Sequence, residues 1–119
     1  MDYSYYDNIR DFPRVSKAVF VKYDIRNELN KSASSGVATT KDISLGGLKF
    51  VCATPVKVGY IVKMEVKLET FTSIAAIGTV AWVENPKHGQ YIIGVKFQPL
   101  QEKYRAMIIK FLNSFAPPE

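Results

Sequence analysis

Within residues 61–69, apolar and charged side chains alternate strictly from Val62 to Glu69. The apolar positions are Val62, Met64, Val66 and Leu68, and a lysine or glutamate stands between each pair. Successive side chains of a β-strand point to opposite faces, so a period of two residues predicts a strand with one face in the core and one in water. This stretch is the clearest strand of the chain, and it favours a mainly β fold.

Other β-favouring runs lie on both sides of this strand. They cover residues 15–25, 36–41, 48–53, 73–84 and 91–97. Residues 27–36, between the first two runs, are polar and small, which is typical of a loop. Residues 85–89 contain Pro86 and Gly89, and they predict a turn that joins the last two runs into an antiparallel hairpin.

The pattern changes from strand to helix near the end of the chain. From Leu100 to Phe115 the apolar residues recur at helical spacing, which predicts an amphipathic helix. Pro99 is expected in the first turn of this helix, and the Ala-Pro-Pro segment at residues 116–118 is expected to end it. Together the elements predict a mainly β fold, a six-stranded antiparallel β-barrel with a C-terminal α-helix packed against it.

The composition excludes several kinds of active site. A chain of 119 residues is long enough for one domain with its own core. It has one cysteine, Cys52, and one histidine, His88, so it lacks the partners for an internal disulfide, a structural zinc site or a histidine-based catalytic triad. Cys52 stands between apolar residues and is interpreted as a small core residue. No group of residues suits general acid–base catalysis, so we expect neither an enzyme nor a bound cofactor or metal.

The net charge and the N-terminus bear on partners and location. A formal net charge of +5 favours an anionic partner. The first residues are acidic and aromatic, without the basic start and apolar run of a signal peptide. The longest apolar stretch, residues 74–83, is too short to span a bilayer. We therefore expect a soluble, cytoplasmic protein with no membrane insertion.

The first of two short motifs is R-x-x-x-R, formed by Arg10 and Arg14. Pro13 keeps Phe12 out of helical geometry, so this segment is expected to be extended or turned. In an extended chain the two arginines face the same side, roughly 13 Å apart at about 3.3 Å per residue. Their guanidinium groups can bind phosphate bidentately, stack on aromatic planes and contact the O6/N7 edge of guanine.

The second motif is D-x-S-x-x-G, which starts at Asp42. The Asp42 carboxylate can accept hydrogen bonds from the N1–H and N2 amine of guanine, and the Ser44 hydroxyl can donate to phosphate or accept from the amine. Gly46 and Gly47 allow a positive φ and a close approach of the backbone to a ligand. The two motifs together therefore suit an anionic, guanine-containing ligand.

In this order, with a β-rich pattern between and after them, the motifs resemble those of PilZ domains, the bacterial receptor modules for cyclic di-GMP. The segment Gly-Val-Lys-Phe at residues 94–97 is similar to the family's late barrel strand. The resemblance implies that the motif residues bind cyclic di-GMP. These residues are Arg10, Arg14, Asp42, Ser44 and Gly47, and the chemistry of the turn adds Gly46.

The resemblance also implies a domain organisation and a mode of action. Residues 1–14 would form an N-terminal arm that carries R-x-x-x-R, and residues 15–116 a PilZ-like split barrel with its helix. Such a stand-alone receptor would order its arm on ligand binding and signal through an unidentified protein partner.

Two alternative functions stay open at this point. One is a small basic barrel that binds single-stranded nucleic acid, which is disfavoured because the basic residues are dispersed and the alternation turns most aromatic residues inward. The other is a PilZ-like protein-interaction module that does not bind nucleotide, which is disfavoured because both motifs are intact.

Some further residues have two interpretations each. Trp82 lies in a strand and is assigned to the core, with base stacking as the alternative. Lys49 and Lys96 are assigned to the solvated faces of their strands, and the alternative is that they add positive charge beside the ligand. Three aromatic residues near the N-terminus are candidates for a lid over the ligand: Tyr3, Tyr5 and Tyr6.

Overall fold

The computed structural model describes residues 18–114. Within this part of the chain, six strands are followed by one helix. The strands are β1 (Val19–Arg26), β2 (Ser32–Thr40), β3 (Gly47–Cys52), β4 (Ile61–Glu69), β5 (Thr72–Lys87) and β6 (Gln90–Phe97), and the helix is α1 (Glu102–Asn113).

The strands form one antiparallel sheet in the order β2-β1-β4-β5-β6-β3, which is curled into a half-barrel. The long strand β5 pairs with β4 through its first half and with β6 through its second half. The two edge strands, β2 and β3, lie close together, but no hydrogen-bonded ladder joins them. We call the line between them the seam. The mainly β fold with six antiparallel strands and a C-terminal helix is therefore confirmed.

The core lies on the concave face of the sheet. In β4 the apolar side chains point into it, and the charged side chains between them are exposed, as the alternation predicts. The same alternation of buried and exposed residues recurs in β1 and in the first half of β5. Helix α1 adds Ile108 and Phe111 to this core. Burial of apolar surface on both elements is the main stabilising contribution to such a layered domain.

Strand β2 begins at Ser32, so the loop expected over residues 27–36 is wrong in its second half. Its small polar residues have little intrinsic preference for a strand. They form one because β2 pairs with β1 along its whole length, and the Ser32 hydroxyl donates to the Asp24 carboxylate at 2.9 Å. Tertiary pairing thus outweighs local propensity here.

Two proline positions also differ from expectation. Pro86 lies within β5, at an irregularity of the β5–β6 pairing between Glu84 and Lys87, where the ladder does not need its missing N–H. Pro99 precedes α1, whose N-cap is Gln101, so it does not lie in the first turn of the helix. The expected helix end at residues 116–118 lies outside the described residues.

Candidate functional site

The D-x-S-x-x-G motif forms a tight turn between β2 and β3. At its start the Asp42 amide donates to Thr40 Oγ1 at 2.9 Å, and the Asp42 carbonyl accepts from the Lys49 amide at 3.2 Å. Ile43 is buried and pairs with Leu48 as an isolated bridge, which fixes the turn to the core. The backbone of the motif is therefore held from both ends.

Ser44 is fully buried, with 0 % of its surface exposed. Its hydroxyl accepts a hydrogen bond from the Gly46 amide at 3.1 Å and donates to the Gly47 carbonyl at 3.3 Å. The Ser44 amide donates to the same carbonyl at 2.8 Å. Within the turn, Ser44 thus replaces water as the partner of backbone groups. Its direct contact with a ligand stays a prediction.

The structure gives a different reason for the glycine at position 47 from the positive φ that the sequence suggests. The glycines with positive φ in the described chain are Gly59 (97°) and Gly89 (76°), so the positive φ expected at Gly46 and Gly47 is wrong. A Cβ on Gly47 would lie 1.9 Å from the carbonyl oxygen of Val95 in β6. A glycine is required there because β3 and β6 approach each other too closely for a side chain.

Asp42 presents its carboxylate at the surface, with 48 % of the side chain exposed. Its Oδ2 lies 3.4 Å from the ammonium nitrogen of Lys49. Lys49 is on the convex, outer face of β3, because its neighbours Leu48 and Phe50 point into the core. The motif carboxylate is therefore directed towards the outer face of the half-barrel.

Trp82 lies on this outer face, so its assignment to the core is wrong. The pairing of β5 with β6 is irregular between Val80 and Trp82, which shifts the alternation by one residue. Val80 and Val83 then oppose core residues of β6, whereas Trp82 opposes Gly94. The indole packs on this glycine: a Cβ on Gly94 would lie 2.1 Å from the indole Nε1. That N–H is buried and finds no acceptor among the residues that the structure describes.

The strand register places these groups side by side. Gly94 lies between Trp82 on β5 and Lys49 on β3, and in the next row Gly47 lies opposite Lys96. Residues directly opposite each other in antiparallel strands project from the same face. We call the surface formed by Asp42, Lys49, Trp82 and Lys96 the outer-face site. It combines a carboxylate, two ammonium groups and an aromatic ring.

The other residues singled out in the sequence do not belong to the outer-face site as the structure describes it. Arg10 and Arg14 lie outside the described residues, as do the three N-terminal tyrosines. Cys52 is buried, and burial raises the pKa of its thiol, as expected of a core cysteine. Among residues 18–114, no three His, Cys, Asp or Glu side chains are grouped so that they could hold a metal ion. Within the same range no helix is long and apolar enough to cross a membrane.

Comparison with known protein families shows to which family the chain belongs. The family model described as PilZ domain matches residues 8–114. The chain belongs to the PilZ domain family. PilZ domains are ligand-binding receptor modules rather than enzymes. No curated protein in the comparison matches the chain in sequence.

The fold of this PilZ domain is similar to that of MrkH from K. pneumonia. A structure of MrkH in its apo state superposes with a TM-score of 0.65 and 18 % sequence identity over 87 % of the chain. A second structure of MrkH, from a P2(1) crystal, gives the same values. The superposition covers 49 % and 47 % of the respective MrkH chains, so the PilZ domain spans about half of their length. At this level of identity the similarity is one of fold.

Proposed function

We propose that this PilZ domain is a receptor for cyclic di-GMP. The observation that carries the proposal is the exposed carboxylate of Asp42, which a rigid motif turn directs onto the outer-face site. In the sequence, the two arginines of R-x-x-x-R precede this turn in the order typical of the family. The site therefore offers an acceptor for guanine and cations for phosphate.

The ion pair of Asp42 with Lys49 does not block this role. Both side chains are about half exposed, and exposed pairs of this kind contribute only about 0–1 kcal/mol. A guanine that offers two N–H donors in a fixed geometry can replace the lysine at Asp42. The released ammonium group of Lys49 is then free to pair with a phosphate.

Trp82 supplies a stacking surface on the same face. Its ring packs against Gly94, and stacking of a base on such an aromatic ring contributes about 1–3 kcal/mol. Lys96 lies one row away and adds positive charge next to the motif turn. These residues support binding of a ligand that has both bases and phosphates.

Arg10 and Arg14 complete the proposed site from the N-terminal side. They would bind phosphate and the guanine edge, and the ligand would bridge the arm (residues 1–14) to the turn. Fixing the arm on the outer face creates a surface that a protein partner can recognise. The receptor would thus signal through a change in the position of its arm.

Isothermal titration calorimetry with cyclic di-GMP tests this proposal. We expect binding at micromolar concentration or below, and loss of binding in Arg14→Ala and Asp42→Ala. Arg105→Ala and Glu102→Ala remove exposed charges of the same type from α1 and are the matched controls. GMP and cyclic di-AMP serve as ligand controls. Absence of binding by the native chain, or full binding by the Asp42→Ala variant, would contradict the proposal.

The outward position of Trp82 also favours a second candidate, binding of single-stranded nucleic acid. An aromatic ring on the same face as two lysines is a minimal platform for one base and its phosphates. Affinity for an oligonucleotide would fall steeply with salt because counterions are released from several phosphates. A salt series with cyclic di-GMP and an oligonucleotide of ~10 nucleotides, long enough to contact one small domain, therefore separates the two functions.

A further inference from the structure

A shallow groove of about 470 Å³, lined mostly by apolar residues, lies on the outer surface at the seam. We call it the seam groove. It is lined by Phe20, Val37, Ala38, Thr39 and Val51. Phe20, Val37 and Val51 are 53 %, 67 % and 44 % exposed. Single exposed apolar residues are common, but three large ones around one groove indicate a surface that another apolar group covers.

The seam groove adjoins the outer-face site. Val51 follows Lys49 on the same face of β3, at a distance of about 6.6 Å for two residues of strand. On the other side of the seam, Phe20 and Thr39 oppose each other in the β1–β2 ladder. An apolar group in the groove would therefore lie one side-chain spacing from the Lys49–Asp42 ion pair.

The described part of the chain begins next to this groove. Ala18 is the first described residue, and Phe20 of the groove is two positions further on. Phe12 is close enough to return to the groove, because the chain between Phe12 and Ala18 spans at most about 20 Å. No other segment outside the described residues is joined to β1.

Phe12 stands midway between the arginines of R-x-x-x-R. In an extended chain, residues two apart point to the same side, so Phe12 shares the face of Arg10 and Arg14. Pro13 favours the extended conformation at Phe12. Each arginine is then about 6.6 Å from Phe12, which equals the spacing of Val51 and Lys49 on β3.

We propose that the seam groove is the docking site of Phe12, which anchors the arm so that its arginines lie over the outer-face site. The inference rests on the proposed function and adds a positioning residue to it. The groove is large enough, since a protein cavity of about 150 Å³ already holds a benzene ring. Docking also covers Phe20, Val37 and Val51, which the described residues leave exposed.

Calorimetry with cyclic di-GMP at constant salt is the first test. Phe12→Ala should weaken binding at least about tenfold, the effect of losing one buried aromatic side chain, and Phe12→Leu should restore part of the affinity. Val51→Ser should weaken binding as well, and combining it with Phe12→Ala should cause no additional loss, because both changes remove the same contact. Ile77→Ser is the matched control: Ile77 is 45 % exposed on the outer face of β5, outside the groove.

If Phe12→Ala binds within about twofold of the native chain while Arg14→Ala has lost binding, the docking proposal is wrong and the receptor proposal stands. Thermal unfolding of every variant without ligand verifies that the fold is intact. Since Val51 and Ile77 are similarly exposed, their serine variants are expected to unfold at similar temperatures.

A cross-linking experiment tests docking independently of any ligand. In a Cys52→Ala background, Phe12→Cys is combined with Val51→Cys or, as a control, with Ile77→Cys. A disulfide requires the two Cα atoms to come within about 7 Å. Mild oxidation should form the intramolecular disulfide with position 51 much faster than with position 77. Equal rates at the two positions would overturn the docking proposal, even if the native chain binds cyclic di-GMP.

Discussion

Gly47→Ala should destabilise the domain even without a ligand. The new Cβ would lie 1.9 Å from the Val95 carbonyl oxygen, and its neighbour there is backbone, which cannot rotate away. β3 would have to move away from β6 by more than about 1 Å to restore ordinary contact. Overpacking of this kind costs about 1–3 kcal/mol. The hydrogen bond from the Phe97 amide to the Gly46 carbonyl (2.9 Å) would be strained as well, and its loss costs about 1 kcal/mol.

The expected total is about 3 kcal/mol, which corresponds to a fall in melting temperature of about 12 °C at roughly 4 °C per kcal/mol for a domain of this size. Thermal unfolding followed by circular dichroism measures it. Gly36→Ala is the control, because the nearest atom to its Cβ is the side-chain hydroxyl of Tyr23 at 3.1 Å, which has to shift by only a few tenths of an ångström. That variant should unfold at the native temperature or slightly above it. If the two variants unfold within about 2 °C of each other, close packing does not explain Gly47, and the glycine serves ligand approach instead.

Three further predictions concern residues around the site and the β1–β2 hairpin. Gly94→Ala should displace the indole of Trp82, the only tryptophan of the chain, so intrinsic fluorescence should shift to longer wavelength; an unchanged spectrum would contradict the packing. Ser44→Ala should lower the free energy of unfolding by about 1 kcal/mol in urea titrations, because the part-buried hydrogen bond from the Gly46 amide to the Ser44 hydroxyl is lost. The Ser32 hydroxyl, together with Arg26, lowers the pKa of Asp24 from its ordinary value of 3.8. The ionised carboxylate therefore stabilises the fold above pH 3.8, and this contribution is lost as the pH falls through the lower pKa of the folded state. Asp24→Asn should therefore be less stable than the native chain at pH 7 but equally stable in strong acid. If the difference in free energy of unfolding between the two proteins is the same at every pH, ionisation of Asp24 does not contribute to the stability of the fold.

The sequence predicts the fold well where one signal dominates. The alternation of residues 61–69 gives both ends of β4 correctly, and the change of period after Phe97 identifies the helix. The sequence-based prediction is wrong for the residues that start at Ser32: they are small and polar, but they form a strand because β1 provides the hydrogen-bonding partners. Boundaries decided by neighbouring strands are not encoded in local propensity.

For the candidate site, too, the sequence predicts some features and misses others. From residue type and spacing, the motif predicts Asp42 and Gly47 as site residues, and their contact with a ligand stays a prediction. It gives the wrong reason for the glycine, since the contact with β6 exists only after the strands have paired. The position of Trp82 depends on an irregularity in the β5–β6 pairing, which shifts the alternation of inward and outward side chains by one residue. This irregularity has no signature in the sequence. Lys49 becomes a partner of Asp42 only through the geometry of the turn.

The hydrogen bond between the Phe97 amide and the Gly46 carbonyl gives α1 a role beyond covering the core. Phe97 is the last residue of β6, and the chain enters the helix a few residues later at Glu102. The motif turn and the helix are therefore attached to the same short stretch of backbone. A substitution that shifts Ile108 or Phe111 in the core changes the mechanical support of the turn that presents Asp42. The proposed binding surface thus shares its backbone support with the helix on the opposite face of the sheet.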